Sequence, residues 1–385
     1  MLVLVIIGTW FYQVLYSTPG EALRRAENFL FTRQTVARLA DQDAVRYFFV
    51  TNRRKSAEEM EDPEERFTNV REPGIRFGRF DATIEPSIGL GMLINPSEWF
   101  QTEEIRVNSL ELVSREDFVE ELGGIVDRSP MRSVILLING FRERFPSALR
   151  KTVFVGHILD INSPVMVFDW PGDQGSTPRG YRRAHTISRE SGLELADTIK
   201  LLVRDINPDK LWIIANSMGG QVVVDAFSHL YKDPEYSDAG IEIEDVILTA
   251  PDVSREAFNT QFKTEIASMA RNLTVYVSSN DRALVMSRII NFGESRRGES
   301  TLEADMLEEA AAVVDMMDPD DELVTLVDVT PVNRTRNFHN FSLETPEFFD
   351  DLFLRMVNKK TPDSRGLYHL QTPDGTGYWV LTPGR

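Results

Sequence analysis

From Ser133 onward, short apolar runs alternate with segments of helical periodicity, and this alternation constrains the fold more than any other feature. The runs are strand candidates at Ser133–Ile138, Val165–Trp170, Leu211–Ala215, Asp245–Ala250, Leu273–Ser279 and Leu323–Val329. The helical segments are Ala148–Leu159, Ser188–Asp205, Gly219–Tyr231, Arg255–Arg271 and Pro346–Lys359. Apolar runs without polar alternation indicate strands covered on both faces, as in parallel sheets. We therefore predict a doubly wound, mostly parallel α/β sheet that binds ligands beyond the carboxyl ends of its strands.

Shorter regions flank this domain in the chain of 385 residues. Ala44–Arg54 has the composition of a first strand, and Ile75–Ile84 with Ile105–Val113 predicts an antiparallel β extension. The charged stretch Lys55–Gly74 has the composition of a solvated loop, and Leu367–Leu381 that of a hairpin around an Asp-Gly pair. We divide the chain into an apolar segment (1–20), a helical connector with the β extension (21–130), the α/β domain (131–360) and a C-terminal tail with the hairpin (361–385).

The first 20 residues carry no charged side chain, and Leu2–Tyr16 is strongly apolar. Trp10, Tyr12 and Tyr16 suit a membrane interface. No basic residue precedes the run and no small-x-small cleavage site follows it, which argues against a secretory signal peptide. We predict a membrane anchor, and hence a membrane-associated protein. A signal peptide and a packed N-terminal element are the alternatives.

Composition excludes several classes of function. The net charge of −18 argues against nucleic acid as a partner, because phosphate binding needs a basic face. The chain has no cysteine, which excludes disulfides, thiolate metal sites and cysteine nucleophiles. The acidic stretch Asp315–Glu322 lacks the spaced ligands and the glycine of a calcium loop. We predict neither a metal nor a cofactor; the oligomeric state is not indicated.

Gly172–Arg183 is rich in glycine and arginine but lacks the Gly-Lys-Ser/Thr ending of a phosphate-binding loop. Its Arg179, Arg182 and Arg183 are interpreted as surface charge. An acid-recognising rim around a site is the alternative interpretation of these arginines.

The segment KLWIIANSMGGQVVVDAF, Lys210–Phe227, passes from a strand into a helix through a very short turn. Ala215, Ser217 and Gly219 form a small-x-Ser-x-Gly pattern there. In a nucleophile elbow of this kind the serine takes a positive φ that holds its hydroxyl clear of the backbone, and only small neighbours fit. An ordinary turn with a serine at the helix start is the alternative, so the interpretation depends on what else catalysis requires.

A serine hydroxyl needs a base within hydrogen-bond reach. His339 follows the last predicted strand and precedes the last helix, which would place it at the carboxyl edge of the sheet. His185, in a predicted polar loop after the Val165–Trp170 strand, is the alternative. His157 and His229 fall in helical segments and His369 in the tail.

The base in turn needs an orienting carboxylate. Asp281 follows the Leu273–Ser279 strand, and the chain order Ser217, Asp281, His339 is the order of this architecture. Asp252, after the preceding strand, is the alternative acid. A helix cap is the alternative role for each aspartate.

Acyl transfer also needs two backbone N–H groups aimed at the developing oxyanion. Met218, directly after the serine, would provide one. Phe141 would provide the other, because Gly140 before it lets the backbone approach closely. A plain Asn-Gly turn is the alternative for Asn139 and Gly140.

Together these residues resemble the α/β-hydrolase superfamily, and more narrowly an uncharacterised bacterial branch of esterase- and lipase-like proteins. The resemblance spans roughly Ser133–Phe353. It is carried by VILLINGFRERFPSALR, VMVFDWPGDQGS, LWIIANSMGGQVV, VILTAPDVSREAF, LTVYVSSNDRAL and NFHNFSLETPEFFDDL. It implies Ser217 as nucleophile, Asp281 as acid and His339 as base, with Phe141 and Met218 as the oxyanion-hole donors.

The chain departs from that branch at Asn139 and Asn216, where the branch usually has histidine. Both asparagines can still donate and accept hydrogen bonds. We predict a serine hydrolase acting on small-molecule carboxylic esters. The alternative is a membrane-tethered binding protein that kept the fold with weak or no catalysis.

Overall fold

A computed structural model describes residues 36–40, 44–57, 63–84, 105–159, 161–237, 243–253, 262–278, 324–334, 340–358, 361–371 and 377–383. The predicted anchor 1–20, Asp281, Asp315–Glu322 and His339 lie outside these residues. None of the helices in the described ranges is both long enough and apolar enough to cross a bilayer.

The centre of the fold is one sheet of 11 strands in the order β10-β11-β9-β8-β7-β6-β4-β5-β1-β2-β3. The strands are β1 (Val45–Lys55), β2 (Phe67–Ile84), β3 (Ile105–Val113), β4 (Ser133–Ile138), β5 (Val165–Asp169), β6 (Lys210–Asn216), β7 (Asp245–Thr249), β8 (Leu273–Val277), β9 (Val324–Asp328), β10 (Tyr368–Gln371) and β11 (Gly377–Val380). All pairs from β1 through β5, β4, β6, β7 and β8 to β9 are parallel. The chain order reverses at β4, which lies between β5 and β6, and crevices form at such switch points. This confirms the predicted doubly wound α/β class.

The described helices are α1 (Arg115–Arg128), α2 (Phe145–Leu159), α3 (Pro178–Glu190), α4 (Gly192–Leu201), α5 (Gly219–Tyr231), α6 (Pro234–Ser237), α7 (Lys263–Ala267), α8 (Phe341–Glu344) and α9 (Pro346–Asn358). A π-helical turn at Leu202–Ile206 follows α4.

Apolar side chains cover both faces of the sheet. Along β4, Leu136 and Ile138 pack into one hydrophobic cluster, whereas Ile135 and Leu137 pack into the other. Every residue of β4 is buried. Each large apolar side chain buried in this way contributes about 1.5–3 kcal/mol, which is why the central strands read as uninterrupted apolar runs.

The antiparallel strands at the N-terminal side extend this same sheet, because β1 pairs in parallel with β5 and antiparallel with β2. The prediction of a loop over Lys55–Gly74 was wrong for Phe67–Gly74, which lies in β2. Its register with β1 joins Arg53 to Arg71 and Lys55 to Phe67. Most side chains there are exposed or half-buried, so the paired backbone tolerates charges that by composition suggest a loop.

The predicted C-terminal hairpin is confirmed by the antiparallel pair of β10 and β11, and β11 adds in parallel to β9. A buried polar cluster holds the preceding helix α9 against the sheet. Asp351 accepts hydrogen bonds from the Tyr276 hydroxyl at 2.6 Å and from Arg365 Nε at 2.7 Å. Burial raises the pKa of Tyr276, so its hydroxyl stays a donor.

The prediction of a polar loop around His185 was wrong, because His185 lies in helix α3. The Thr177 hydroxyl accepts from the Gly180 N–H at 3.1 Å, and Pro178 occupies the first turn. Both are helix-start signals. Three arginines of α3 are exposed while Tyr181 is buried, so they face solvent: Arg179, Arg182 and Arg183.

Candidate active site

A sharp turn joins β6 to α5, and Ser217 stands in it with φ of +53°. This left-handed backbone conformation was predicted and is uncommon for a residue with a side chain. Gly219 permits the turn, since a Cβ there would lie 2.6 Å from the Ile138 carbonyl oxygen and 2.7 Å from that of Asn139. Close packing of α5 against the end of β4 thus requires glycine at this position.

Backbone hydrogen bonds on both sides fix the turn. The Ser217 N–H donates to the Thr249 carbonyl oxygen at 2.9 Å. The Ser217 carbonyl oxygen accepts from the Gly220 N–H at 2.9 Å and from the Asp252 N–H at 3.1 Å. Ser217 is therefore held at the carboxyl ends of β6 and β7, and only 7% of its surface is exposed to solvent.

The loop after β4 lies directly against this serine. A Cβ on Gly140 would be 2.8 Å from Ser217 Cβ, 3.3 Å from its Oγ and 2.9 Å from the Asn216 carbonyl oxygen. Phe141 and Met218 are the residues after Gly140 and Ser217. Within the described chain, neither N–H of these two residues donates a hydrogen bond to another backbone group.

Two hydrogen bonds with the segment after β5 position the loop Asn139–Arg142. Trp170 Nε1 donates to the Asn139 carbonyl oxygen at 2.7 Å. The Arg142 N–H donates to the Gly172 carbonyl oxygen at 2.9 Å. A Cβ on Gly172 would lie 2.6 Å from the Gly140 carbonyl oxygen, so the loops after β4 and β5 interlock.

A buried ion pair that the sequence analysis missed supports both loops. Arg53 Nε donates to Asp169 at 2.6 Å, and the two side chains are 0% and 1% exposed. The Arg53 guanidinium also donates at 2.8 Å to the carbonyl oxygens of Glu143 and Trp170. Burial raises the pKa of Asp169, and the charge of Arg53 opposes that rise. The available signal was a charged residue at the end of each of two apolar strands.

Asn216, directly before the serine, ties the sheet to the segment that carries the predicted base. Its Oδ1 accepts from the Thr249 hydroxyl at 2.9 Å and from the Ser342 hydroxyl at 3.1 Å. Ser342 is three residues after His339 in the chain. His339 itself is outside the described residues, and its role stays a prediction.

The segments after β8 and β9 also meet at the same edge of the sheet. Asn333 Nδ2 donates to the Ser278 hydroxyl at 2.8 Å. Ser278 is three residues before Asp281, and Asn333 is six residues before His339. Asp281 lies outside the described residues, and its role stays a prediction.

The alternative acid Asp252 lies on the α3 side of the turn. Its Oδ2 accepts from the Tyr181 hydroxyl at 2.6 Å, and the Tyr181 ring meets that of Phe141 edge-on with centroids 5.5 Å apart. The alternative base His185 is next to this pair, with its ring centroid 6.4 Å from that of Tyr181. Burial lowers the pKa of His185, which favours a neutral ring. No hydrogen bond joins His185 to Ser217 among the described residues.

No cluster of three or more metal-ligating side chains occurs within the described ranges. The described residues of the site are a serine in a strained turn and the backbone amides of two adjacent loops. Such an arrangement can present a hydroxyl and two N–H groups to one carbonyl.

Comparison with known proteins agrees with the α/β fold. Residues 114–352, more than half of the chain, match the family described as "Alpha/beta hydrolase of unknown function (DUF900)". None of the curated proteins matches the chain significantly.

Proposed function

Because the chain belongs to the DUF900 family of α/β hydrolases, we propose that it is a serine hydrolase that cleaves carboxylic esters through an acyl-enzyme. One observation carries the proposal: Ser217 has φ of +53° at the β6–α5 turn, with the Gly140 backbone against its hydroxyl. A strained conformation of this kind is retained where a function requires it.

The proposed reaction has two steps. Ser217 Oγ attacks the ester carbonyl carbon while His339 takes the hydroxyl proton, and the alcohol leaves after receiving that proton. Water, deprotonated by His339, then attacks the acyl-enzyme; the carboxylic acid leaves, and His339 returns the proton to Ser217 Oγ. Asp281 holds the imidazole in the tautomer that accepts from Ser217.

The N–H groups of Phe141 and Met218 are proposed to stabilise the oxyanion in both steps. Support comes from the close approach of Gly140 to Ser217 and from the absence of another backbone acceptor for these amides within the described chain. Removing one such donor typically costs about 10²–10³ in kcat. The close contact between Gly172 and Gly140 would keep the loop that carries the Phe141 N–H in place as negative charge develops on the oxyanion.

Activity-based labelling tests the nucleophile. A fluorophosphonate probe should label the wild-type protein, and Ser217→Ala should abolish both labelling and hydrolysis of p-nitrophenyl acetate. Ser147→Ala, on α2, is the matched control and should retain both. Equal labelling of Ser217→Ala would refute the assignment, and a silent wild-type protein would favour the binding-protein alternative.

Paired variants test the acid and the base. His339→Ala should lower kcat by about 10⁴ or more. Asp281→Asn should lower kcat far more than Asp252→Asn, because Asp252 already accepts from Tyr181. A larger loss in Asp252→Asn would assign the acid to the strand β7 loop instead.

Residues 1–20 are proposed to anchor the protein to a membrane, on the ground of their uncharged, apolar sequence. The full chain should sediment with membranes, and a form without residues 1–20 should not. Equal behaviour of the two forms would remove the proposed anchor while leaving the hydrolase proposal intact.

A further inference from the structure

A cavity of about 40 Å³ lies between the sheet and helices α2 and α9. Its sheet wall includes Asn139 and Asn216, the residues directly before Gly140 and Ser217. Gly140 and the Ser217 hydroxyl are in close contact, and the cavity therefore adjoins the two segments that meet at the proposed reacting oxygen.

The helices give the cavity an apolar surface. It is formed by Val155 on α2 and by Phe348, Phe349 and Leu352 on α9, and Ile214 on β6 adds an apolar side chain to the sheet wall. A cavity needs about 10–15 Å³ to hold one water molecule. The cavity therefore holds about three water-sized groups, which corresponds to the chain of a butyryl group beyond its carbonyl carbon.

Most polar side chains that line the cavity have hydrogen-bond partners. Asn216 Oδ1 accepts from Thr249 and Ser342, and Lys151 donates to Glu143. Asn139 Nδ2 is different: it is buried and has no hydrogen-bond partner among the described residues. A buried donor without an acceptor is unfavourable, and a ligand that supplies the acceptor removes that penalty.

We propose that this cavity receives the acyl part of the substrate and selects a short acyl chain that carries a hydrogen-bond acceptor opposite Asn139 Nδ2. An ether, keto or hydroxyl oxygen two or three atoms from the ester carbonyl has the required chemistry. The proposal rests on the proposed function of Ser217, since it places the substrate of that serine.

An isosteric pair of esters tests the role of Asn139. The methoxyacetyl group matches the butyryl group in size but replaces one methylene by an acceptor oxygen. The kcat/KM of p-nitrophenyl methoxyacetate divided by that of the butyrate should fall about tenfold in Asn139→Leu relative to the wild type. Intrinsic ester reactivity cancels in this comparison, because both proteins act on the same two esters.

Thr198→Val is the matched control, because the buried Thr198 hydroxyl donates to the Glu194 carbonyl oxygen in α4, away from the cavity, and the variant should keep the wild-type ratio. An unchanged ratio in Asn139→Leu would overturn the assignment of the acceptor. Fluorophosphonate labelling of the same proteins separates the two hypotheses, since labelled Ser217 with an unchanged ratio contradicts only the cavity proposal.

Chain length provides a second test that does not require Asn139 to be altered. The kcat/KM of the wild-type protein should drop sharply for acyl chains longer than about four carbons, and Leu352→Ala should shift the optimum to longer chains. Leu201→Ala, which truncates a buried leucine in the hydrophobic cluster on the opposite face, should leave the optimum unchanged. A flat profile up to octanoate, or the same shift in both variants, would contradict the proposal.

Discussion

Gly140 has no room for a side chain, and substitution by alanine tests how closely the loop packs against Ser217, the proposed nucleophile. A methyl group on residue 140 would lie 2.8 Å from Ser217 Cβ and 2.9 Å from the Asn216 carbonyl oxygen. Carbon atoms pack optimally at about 3.5–4.0 Å. In Gly140→Ala the loop, the serine or both must therefore move by roughly 0.7–1.2 Å.

That displacement has separable effects on activity and stability. A misplacement of about 1 Å at a reacting centre costs about 10² in rate, and loss of one oxyanion donor costs about 10²–10³. We expect kcat/KM for p-nitrophenyl acetate to fall by about 10²–10³. Overpacking of this size lowers the free energy of unfolding by about 1–3 kcal/mol, which leaves the protein folded.

The assay combines ester hydrolysis with thermal unfolding followed by circular dichroism. Gly123→Ala is the control, because a Cβ there would meet only Ile206 Cδ1, at 3.9 Å, inside helix α1. It should retain activity and gain about 0.5–1 kcal/mol of stability. If Gly140→Ala kept kcat/KM within about threefold of the wild type and unfolded at the same temperature, the loop would not lie against Ser217 and the reasoning would be refuted.

Three further changes test the surroundings of the site. Asp169→Asn leaves the charge of the fully buried Arg53 without its carboxylate and should lower the free energy of unfolding by about 3–5 kcal/mol; an unchanged urea midpoint would contradict this. Tyr181→Phe removes the 2.6 Å hydrogen bond to Asp252 but keeps the ring contact with Phe141. It should lower the free energy of unfolding by about 1–2 kcal/mol, the value of one part-buried hydrogen bond. Burial lowers the pKa of His185, so the unfolded chain binds a proton at a higher pH than the folded protein does. The free energy of unfolding should therefore fall as the pH drops through about 6.5. His185→Gln should make this dependence on pH less steep, and an equally steep dependence would assign the loss to other groups.

Much of the fold could be predicted because the central strands bury both faces. The run Ser133–Ile138 became β4 and the run Asp245–Ala250 became β7 with one residue fewer. By contrast, Phe67–Gly74 was predicted as a loop and forms part of β2. Its charges are tolerated because pairing with β1 satisfies the backbone, which no local pattern in the segment reveals.

The strained turn at Ser217 could also be predicted, because such a turn requires small residues at fixed positions around the serine. The loop prediction around His185 was wrong although Thr177 and Pro178 are local helix-start signals, because the glycine-rich stretch before them suggests a loop by composition. The ion pair of Arg53 and Asp169 is different in kind. Its two residues are far apart in the sequence, and neither strand alone indicates that the other charge is opposite.

The sequence by itself determined the strand–helix alternation, the strained serine turn and the absence of thiol chemistry, because each depends on residue types within a short stretch. Only the tertiary structure decided that β1 joins the parallel sheet, that Gly140 lies against Ser217 and that Asn139 lines a cavity with an unsatisfied donor. These features depend on which distant segments become neighbours, and that choice is made by the packing of the whole sheet.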